Sequence, residues 1–317
     1  ITSLAAMTAW PSGVLAQTFP AKQIRIIVPY PAGGPTDALA RIVGQEIAAA
    51  LGQAVVIENR PGASGAIGSR EGAKAEADGH TLVLGNNQTH ATNALLMKDL
   101  GYDPQKDFVP IAGLADLQHV LVVRKDLGVA NVGELVAVAK KAAGKLNYGS
   151  TGQGSGSHLA MELFKTRTGI EAQHVPFKGA APMALEVVAG RIDLAFATLP
   201  SVLGQVQGGE IKGIAIASNV RAPQLPDIAL LKEQGVADAE ADSWLALFAP
   251  AATPQAVVDI LSKSVLTALA KPDVAQSAIK QGIAVNTRGS DAFKGYLKAE
   301  LEKWALVVKA ANVKIGG

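Results

Sequence analysis

The sequence contains no cysteine in its 317 residues, which excludes disulfide bonds, thiolate metal ligands and a cysteine nucleophile. Histidine is scarce as well, with five residues dispersed along the chain. No two of them form an H-x-x-x-H or H-E-x-x-H pair, the spacing that places two metal ligands on one helix face. We therefore expect no metal site and no cofactor.

The chain also lacks a block of like charge and a long apolar run. Lysine and arginine number 29, aspartate and glutamate 27, and the net charge is +2. Because the basic residues are dispersed, nucleic acid is not an expected partner. No segment reaches the roughly 18 continuous apolar residues that suggest a membrane span. The length instead suits two domains of ordinary size.

The N-terminal region carries no charge before Lys22. Residues 4–16 resemble the end of the apolar region of a signal peptide, and Val14-Leu15-Ala16 provides the small residues of a cleavage site. We interpret residues 1–16 as a signal-peptide remnant, cleaved near Ala16, and expect an exported protein. A disordered or added tail is the alternative.

The stretch Arg25–Asp37 joins a β-branched apolar run, a Pro/Gly turn and the start of an amphipathic pattern. This order predicts a strand, a tight loop and a helix N-terminus. Gly34 suits the N-cap and Pro35 the first helical position. Free N–H groups in the first turn, up to Ala38, favour an anion site. A plain strand-to-helix turn is the alternative, and Asp37 is expected to brace the loop from the first turn.

Two βαβ patterns follow one another along the chain, between residues 24 and 85 and between residues 131 and 217. Their alternation predicts parallel sheets with crossover helices. A strand near 244–250 and helices up to residue 310 then return the chain to the first domain.

We therefore predict an α/β fold of two Rossmann-like domains joined by two crossover strands. Domain I comprises residues 22–120 and 249–317, and domain II comprises residues 121–248. Two crossings make a hinge, and the cleft between the two lobes is the expected ligand site.

Five polar or glycine-rich loops follow predicted strands, at the sheet edge where open α/β folds bind ligands. They are Pro31–Asp37, Asn86–His90, Ser150–Ser157, Phe177–Gly179 and Thr198–Ser201. Lys178 is a cation that could balance a carboxylate, although a solvated lysine is the alternative.

The loop Ser150–Ser157 is neither a G-x-S-x-G elbow nor a P-loop. Its run of N–H and hydroxyl donors at a helix start suits a carboxylate or a phosphate, and a solvent loop is the alternative. A hydrolase or transferase that uses Ser155, His158 and Asp37 is the competing interpretation. A transcriptional effector-binding domain is a third, which the signal-like N-terminus opposes.

A set of short motifs occurs in an order that matches a known family. They are Ile26–Gly34 with Asp37, Glu58–Ala63, Ala77–Thr81, Tyr102–Pro104 with Lys106–Phe108, Leu146–Ser150 with Gly154-Ser155, Val175–Gly179, Gly190–Asp193 and Leu225–Asp227. With them the chain resembles the Bug-type periplasmic solute-binding receptors of tripartite tricarboxylate transporters, from about Pro20 to Ile315.

The resemblance implies a two-lobed type II periplasmic-binding-protein fold, a periplasmic location and a receptor rather than an enzyme. It implies a small carboxylate ligand, such as a di- or tricarboxylate or an aromatic carboxylate, and membrane transporter subunits as partners. We expect a monomer. Many members carry an acidic residue where this chain has Ala197, so the ligand itself is not assigned.

The resemblance also implies that the two glycine-rich loops hold one carboxylate and that neighbouring residues line the rest of the cleft. The expected ligand-binding residues are Tyr30, Ala32, Gly33, Gly34, Thr36, Asp37, Asn87, Thr89, Ser150, Thr151, Gly152, Gly154, Ser155, Lys178, Gly179, Thr198 and Ser201.

Overall fold

The computed structural model describes residues 19–310 and residue 313. The predicted signal-peptide remnant and its cleavage site lie outside the described residues. Among the helices of the described part, none is both long and apolar enough to cross a membrane.

The described chain alternates strands and helices throughout. The strands are β1 Ile24–Val28, β2 Val55–Asn59, β3 Thr81–Asn86, β4 Phe108–Leu117, β5 His119–Arg124, β6 Asn147–Ser150, β7 Gln173–Pro176, β8 Leu194–Thr198, β9 Ile211–Ile216, β10 Ser243–Pro250 and β11 Ala284–Gly289. The helices are α1 Pro35–Leu51, α2 Ala66–Ala73, α3 Asn93–Leu96, α4 Val132–Ala142, α5 Gly156–Thr168, α6 Ala180–Val188, α7 Leu199–Gln207, α8 Gln255–Leu269, α9 Pro272–Lys280 and α10 Ser290–Ala310. Short 3₁₀ turns lie at Ala63–Gly65, Lys125–Leu127 and Lys232–Gln234, and a π-helical turn lies at Gln88–Thr92.

The strands form two sheets. The first has the order β11-β4-β10-β3-β1-β2, and the second has the order β7-β6-β8-β5-β9. The pairs of β1 with β2 and β3 are parallel, as are those of β6 with β7 and β8. The parallel pairing predicted from the βαβ patterns is thus confirmed for these strands, whereas both sheets also contain antiparallel pairs that the patterns did not predict. In each sheet, antiparallel pairing begins at a strand that enters from the other sheet, β10 against β3 and β5 against β8.

The two chain crossings lie side by side. Only Gln118 separates β4 of the first sheet from β5 of the second, and the return passes from β9 to β10. His119 links both segments: its carbonyl accepts from the N–H of Ala217 at 2.8 Å, and its Nδ1 lies 2.6 Å from the carbonyl oxygen of Ala241. Because the crossings are bonded to each other, they form one narrow connection. The predicted domain boundaries at 120/121 and 248/249 remain predictions.

Strand β4 is a central strand of the first sheet that the sequence analysis did not predict. Pro110 and Gly113 interrupt its apolar pattern, and both residue types usually weaken a strand. The pairing of β4 with β10 shifts register beside these positions, a bulge that accommodates the proline. A Cβ at Gly113 would lie 2.5 Å from Cδ2 of Phe293, so the missing side chain lets α10 pack directly on the sheet.

Candidate ligand-binding site

The first candidate loop, Tyr30–Asp37, connects β1 to α1 and presents its backbone to solvent. Gly34 is the N-cap and Pro35 the first helical residue, as predicted. Ala32 and Gly33 are exposed, and a Cβ at Gly33 would meet no atom within 4 Å. The left-handed φ of 85° at Gly33 explains why glycine occupies this position. An incoming anion can therefore approach the peptide groups of this loop closely.

Asp37 closes the loop from inside, as predicted. Its carboxylate accepts from the N–H of Gly33 at 2.9 Å, from Asn59 Nδ2 at 3.1 Å and from Arg41 Nε at 3.0 Å. Burial alone would raise the pKa of Asp37, but the bonds from Arg41, Gly33 and Asn59 together hold it below its usual value. The prediction that Ala38 has a free N–H is wrong, because this group donates to the carbonyl of Gly34 at 3.0 Å.

Tyr30 connects the first loop to the end of β3. Its hydroxyl lies 3.0 Å from both Asn86 Oδ1 and Gln88 Oε1, so its single proton is shared between these two acceptors. Burial raises the pKa of Tyr30, so the phenol stays neutral and remains a donor. The ring is fixed between the loop and the residues that follow β3.

Residues 86–90 were predicted to form a polar loop, but the structure has a buried π-helical turn at Gln88–Thr92. Thr89 is 0% exposed. Its Oγ1 accepts from the N–H of Asn86 at 3.0 Å and lies 2.9 Å from His90 Nδ1. Its carbonyl accepts from the hydroxyl of Tyr102 at 2.6 Å. Thr89 thus organises the turn from within.

Asn87 occupies a different environment on the same segment. It is 1% exposed, and neither its Nδ2 nor its Oδ1 has a hydrogen-bond partner among the described residues. A Cβ placed on Gly156 would lie 3.0 Å from Asn87 Nδ2 and 2.5 Å from Ser243 Oγ. The Asn87 amide therefore faces the start of α5, which packs on the second sheet. Buried amides without partners are costly, so the Asn87 amide retains an unused donor and an unused acceptor within the described part of the chain.

The second candidate loop, Ser150–Ser157, directs many of its donors inward. The N–H of Thr151 donates to Ser157 Oγ at 2.9 Å, that of Gly152 to Ser150 Oγ at 3.2 Å, and that of Gly154 to His158 Nδ1 at 3.0 Å. The backbone N–H groups of these three residues, which were expected among the donors to an anion, are therefore already bonded within the protein. Of the loop hydroxyls, that of Thr151 belongs to a half-buried residue and is the most accessible.

Two histidines support the second loop from below. His158 and His174 stack with ring centroids 3.9 Å apart and an interplanar angle of 7°. His174 Nε2 lies 2.6 Å from Ser150 Oγ. Burial lowers the pKa of both histidines to about 4, so both rings are neutral at pH 7 and act as fixed hydrogen-bonding groups.

The same geometry does not assemble the triad of the competing hydrolase interpretation. Ser155 caps α5, and its Oγ accepts from the backbone N–H of His158 at 3.3 Å. The ring of His158 is bonded to Gly154 instead. The Asp37 carboxylate is engaged by Arg41, Gly33 and Asn59.

The remaining predicted residues lie at two further strand ends. Lys178 is exposed, and Gly179 is the N-cap of α6 with a left-handed φ of 117°. The predicted loop Thr198–Ser201 is wrong, because β8 ends at Thr198 and α7 begins at the next residue. The hydroxyls of Thr198 and Ser201 lie 2.7 Å apart.

Contacts between the two loop systems involve residues that the sequence analysis did not single out. Gln88 Nε2 donates to the carbonyl of Gln153 at 3.4 Å, and Thr92 Oγ1 donates to the carbonyl of Gly154 at 3.0 Å. Both donors come from the π-helical turn of the first lobe. Only the turn geometry directs them towards the second loop, so a pattern of residue types gave no signal for them.

Two α/β sheets, two adjacent chain crossings and a strand-to-helix loop from each sheet define a two-lobed solute-binding protein. The family model described as Tripartite tricarboxylate transporter family receptor matches residues 39–313. The chain belongs to this family, and its members are solute-binding receptors. The predicted family resemblance and fold class are confirmed.

Relatives of known structure and sequence cover nearly the whole chain. Protein BugT of Bordetella pertussis is 32% identical over 303 residues, which cover 95% of this chain and 93% of BugT. The R. palustris protein Rpa4515, solved with adipate, has 35% identity and a TM-score of 0.89, covering 93% of this chain and 99% of that chain. MatC from Rhodopseudomonas palustris, solved with bound malate, has 31% identity and a TM-score of 0.84, with 92% and 100% coverage.

Proposed function

We propose that this receptor captures a small carboxylate between its two glycine-rich loops, in the periplasm, and delivers it to a tripartite tricarboxylate transporter. The observation that carries the proposal is the junction of the loops at Gln88. Its Oε1 accepts from Tyr30 of the first loop and its Nε2 donates to Gln153 of the second. Similar proteins were solved with adipate and malate, so a dicarboxylate is the ligand class we favour.

We propose two roles for the predicted site residues. The accessible ones contact the ligand directly: Tyr30, Ala32, Gly33, Gly34, Thr151, Gly152, Lys178, Gly179, Thr198 and Ser201. The buried ones hold the loops in shape: Thr36, Asp37, Thr89, Ser150, Gly154 and Ser155. Asn87 is buried but unpaired, and we propose that its amide binds the ligand when the lobes close.

Neutral donors dominate the site. Arg41, the cation nearest the first loop, is paired with Asp37, and Lys178 is exposed. Hydrogen bonds from peptide N–H and hydroxyl groups to an ionised carboxylate are stronger than neutral ones, and exclusion of water by closure strengthens them further. The receptor thus recognises the carboxylate by donor geometry more than by net charge.

Thermal-shift measurements against a panel of carboxylates test the proposal, because a ligand that binds only the folded state raises its melting temperature. Malate, adipate, citrate and benzoate are the test compounds, with phosphate and a neutral sugar as controls. We expect a dose-dependent rise with one or more carboxylates. A rise with phosphate or the sugar alone contradicts the ligand class.

Gly34→Asp locates the binding site. The new carboxylate would stand beside the exposed backbone of the first loop and repel the ligand. We expect the melting-temperature shift to disappear. Gly295→Asp is the matched control, because Gly295 lies in α10 with open space around its Cβ position. An unchanged shift in Gly34→Asp would place the ligand elsewhere.

A further inference from the structure

We propose that Thr92 and Gln88 of the first lobe, together with His158 of the second, form a latch that holds the lobes together without ligand. Thr92 and Gln88 donate hydrogen bonds from the first lobe to the second, and His158 is a positioning residue that fixes the acceptor. Gln224 adds a separate, solvent-exposed bond between the lobes, from its Nε2 to the carbonyl of Ile279 at 2.7 Å. The effect of the latch on affinity rests on the proposed function, whereas its effect on the lobes does not.

The two latch donors, Thr92 and Gln88, are buried and donate to two consecutive carbonyls. Thr92 is 0% exposed and Gln88 5% exposed. Thr92 Oγ1 donates to Gly154 at 3.0 Å, and Gln88 Nε2 donates to Gln153 at 3.4 Å. The Thr92 bond is the shorter one and links two buried residues, so its loss leaves a carbonyl without its partner.

His158 fixes the acceptor of the Thr92 bond. The Nδ1 of His158 accepts from the N–H of Gly154 at 3.0 Å. Gly154 is therefore held on both sides, by His158 through its N–H and by Thr92 through its carbonyl. Gly154 has a left-handed φ of 73°, which a side chain would strain. The stacked ring of His174, with its centroid 3.9 Å away, keeps the His158 imidazole in place.

The latch is connected to the ligand loops on both sides. On the first side, Gln88 Oε1 accepts from Tyr30. The carbonyl of Gln153 fixes the orientation of the Gln88 amide, because a flipped amide would place Oε1 against this carbonyl oxygen. On the second side, Gln153 and Gly154 belong to the Ser150–Ser157 loop. The closed arrangement therefore has stabilising contacts of its own, and a ligand adds to them.

A population argument gives the expected effect. If the closed state is the binding-competent one, apparent affinity falls in proportion to its ligand-free population. Loss of the Thr92 bond should reduce the ratio of closed to open molecules by about 3- to 10-fold, as one hydrogen bond of ordinary strength does. Ligand affinity should fall by up to the same factor, although Thr92 is not a proposed ligand contact.

Interlobe distances without ligand test the latch. The chain has no cysteine, so the substitutions Gln45→Cys on α1 and Lys141→Cys on α4 introduce two unique labelling sites. Both positions are exposed and can carry spin labels for pulsed electron–electron double resonance. In this labelled protein we expect Thr92→Val to increase the share of long distances and Thr92→Ser to restore the parent distribution. Thr168→Val is the matched control, because it removes a 2.7 Å bond to Phe164 within α5.

Gln88→Glu provides a second variant, since it keeps the acceptor for Tyr30 but loses the Nε2 donor. It should shift the distances in the same direction as Thr92→Val. Parent-like distances in both variants, with unchanged circular dichroism, would overturn the latch.

Variants of His158 test its positioning role. His158→Ala should open the lobes, whereas His158→Asn should restore closure because its Oδ1 can accept from Gly154. Thr92→Val and His158→Ala should be non-additive, since both act through the same residue, Gly154. Additive effects, or no rescue by asparagine, would overturn this role. Because no ligand is present, a failure of carboxylate binding would leave these outcomes unaffected.

Discussion

At the scale of single residues, Asp37 couples the shape of the first loop to protonation. The folded-state pKa of Asp37 lies below its usual value. The stabilisation from its ionised form is therefore present above the unfolded pKa of about 3.9, and it is lost as the pH falls through the folded pKa. The bonds that hold the first loop should therefore weaken as Asp37 becomes protonated.

Asp37→Asn should lower the free energy of unfolding by about 1–3 kcal/mol at pH 7, because a buried donor loses its charged acceptor. Urea denaturation at pH 7 and in steps down to pH 3 measures the difference in free energy of unfolding between Asp37→Asn and the wild type. We expect this difference to become smaller in acid. Asp99→Asn, at an exposed position, is the control and should change stability little. A difference that stays constant over this range would contradict the assignment.

Residue roles were predictable where local geometry alone decides them. An acidic residue in the first turn of a helix after a Pro/Gly loop predicts that Asp37 braces this loop, and its carboxylate does accept from the N–H of Gly33. The inward direction of Thr89 was not predictable, because it depends on a π-helical turn that residue types do not specify. Gln88 and Thr92 were missed for the same reason.

At the scale of elements, the start of α5 is the tightest junction between the lobes. A Cβ on Gly156 would lie 2.5 Å from Ser243 Oγ, 3.0 Å from Asn87 Nδ2 and 3.1 Å from His119 Cε1. Ser243 belongs to the second crossing, Asn87 to the first lobe and His119 to the first crossing. Glycine is needed here for close approach, since no left-handed φ is recorded for it.

Gly156→Ala should therefore lower the free energy of unfolding by about 1–3 kcal/mol, the usual cost of overpacking. Gly204→Ala is the matched control, because a Cβ at Gly204 in α7 would meet nothing within 4 Å. That change should be neutral or stabilise by up to about 1 kcal/mol through helix propensity. Chemical denaturation of both variants provides the comparison. Wild-type stability in Gly156→Ala would contradict the prediction, because it would show that the neighbouring atoms can move to make room for the methyl group.

Element prediction succeeded where periodicity and caps agreed and failed where they conflicted. Helix α1 has buried Leu39, Val43 and Ile47 on one face and the predicted N-terminus at Gly34-Pro35. Strand β4 was missed because Pro110 and Gly113 are read as strand breakers. Tertiary packing overrides that signal, through a bulge against β10 and the approach of Phe293.

At the scale of the whole molecule, the return of the chain to the first sheet was predictable, whereas the directions of the strands that enter from the other sheet were not. A C-terminal strand and long helices after the second βαβ pattern needed a place to pack, and β10 and β11 do join the first sheet. The antiparallel entry of β5 and β10 follows from crossing between sheets. Each βαβ pattern in the sequence specifies only the parallel strands within its own unit, and so does not predict the direction of a strand that enters from the other sheet.

The two adjacent crossings also set the mechanical behaviour of the molecule. His119, Ala217 and Ala241 are bonded to one another, so rotation of one lobe on the other is concentrated at one connection. A ligand that touches both loops favours the closed arrangement by as much as its affinity for the closed state exceeds that for the open state. This layout supports the proposed capture by closure.

The most direct test is the interlobe distance before and after ligand addition. The protein labelled at Gln45→Cys and Lys141→Cys is measured by pulsed electron–electron double resonance. The measurement is made without ligand and again with the carboxylate that raises the melting temperature. We expect saturating ligand to convert the long distances of the ligand-free protein, which are most frequent in Thr92→Val, to a single short distance, and to have no such effect when Gly34→Asp is also present. Long distances that persist in Thr92→Val at saturating carboxylate would contradict capture between the two loops.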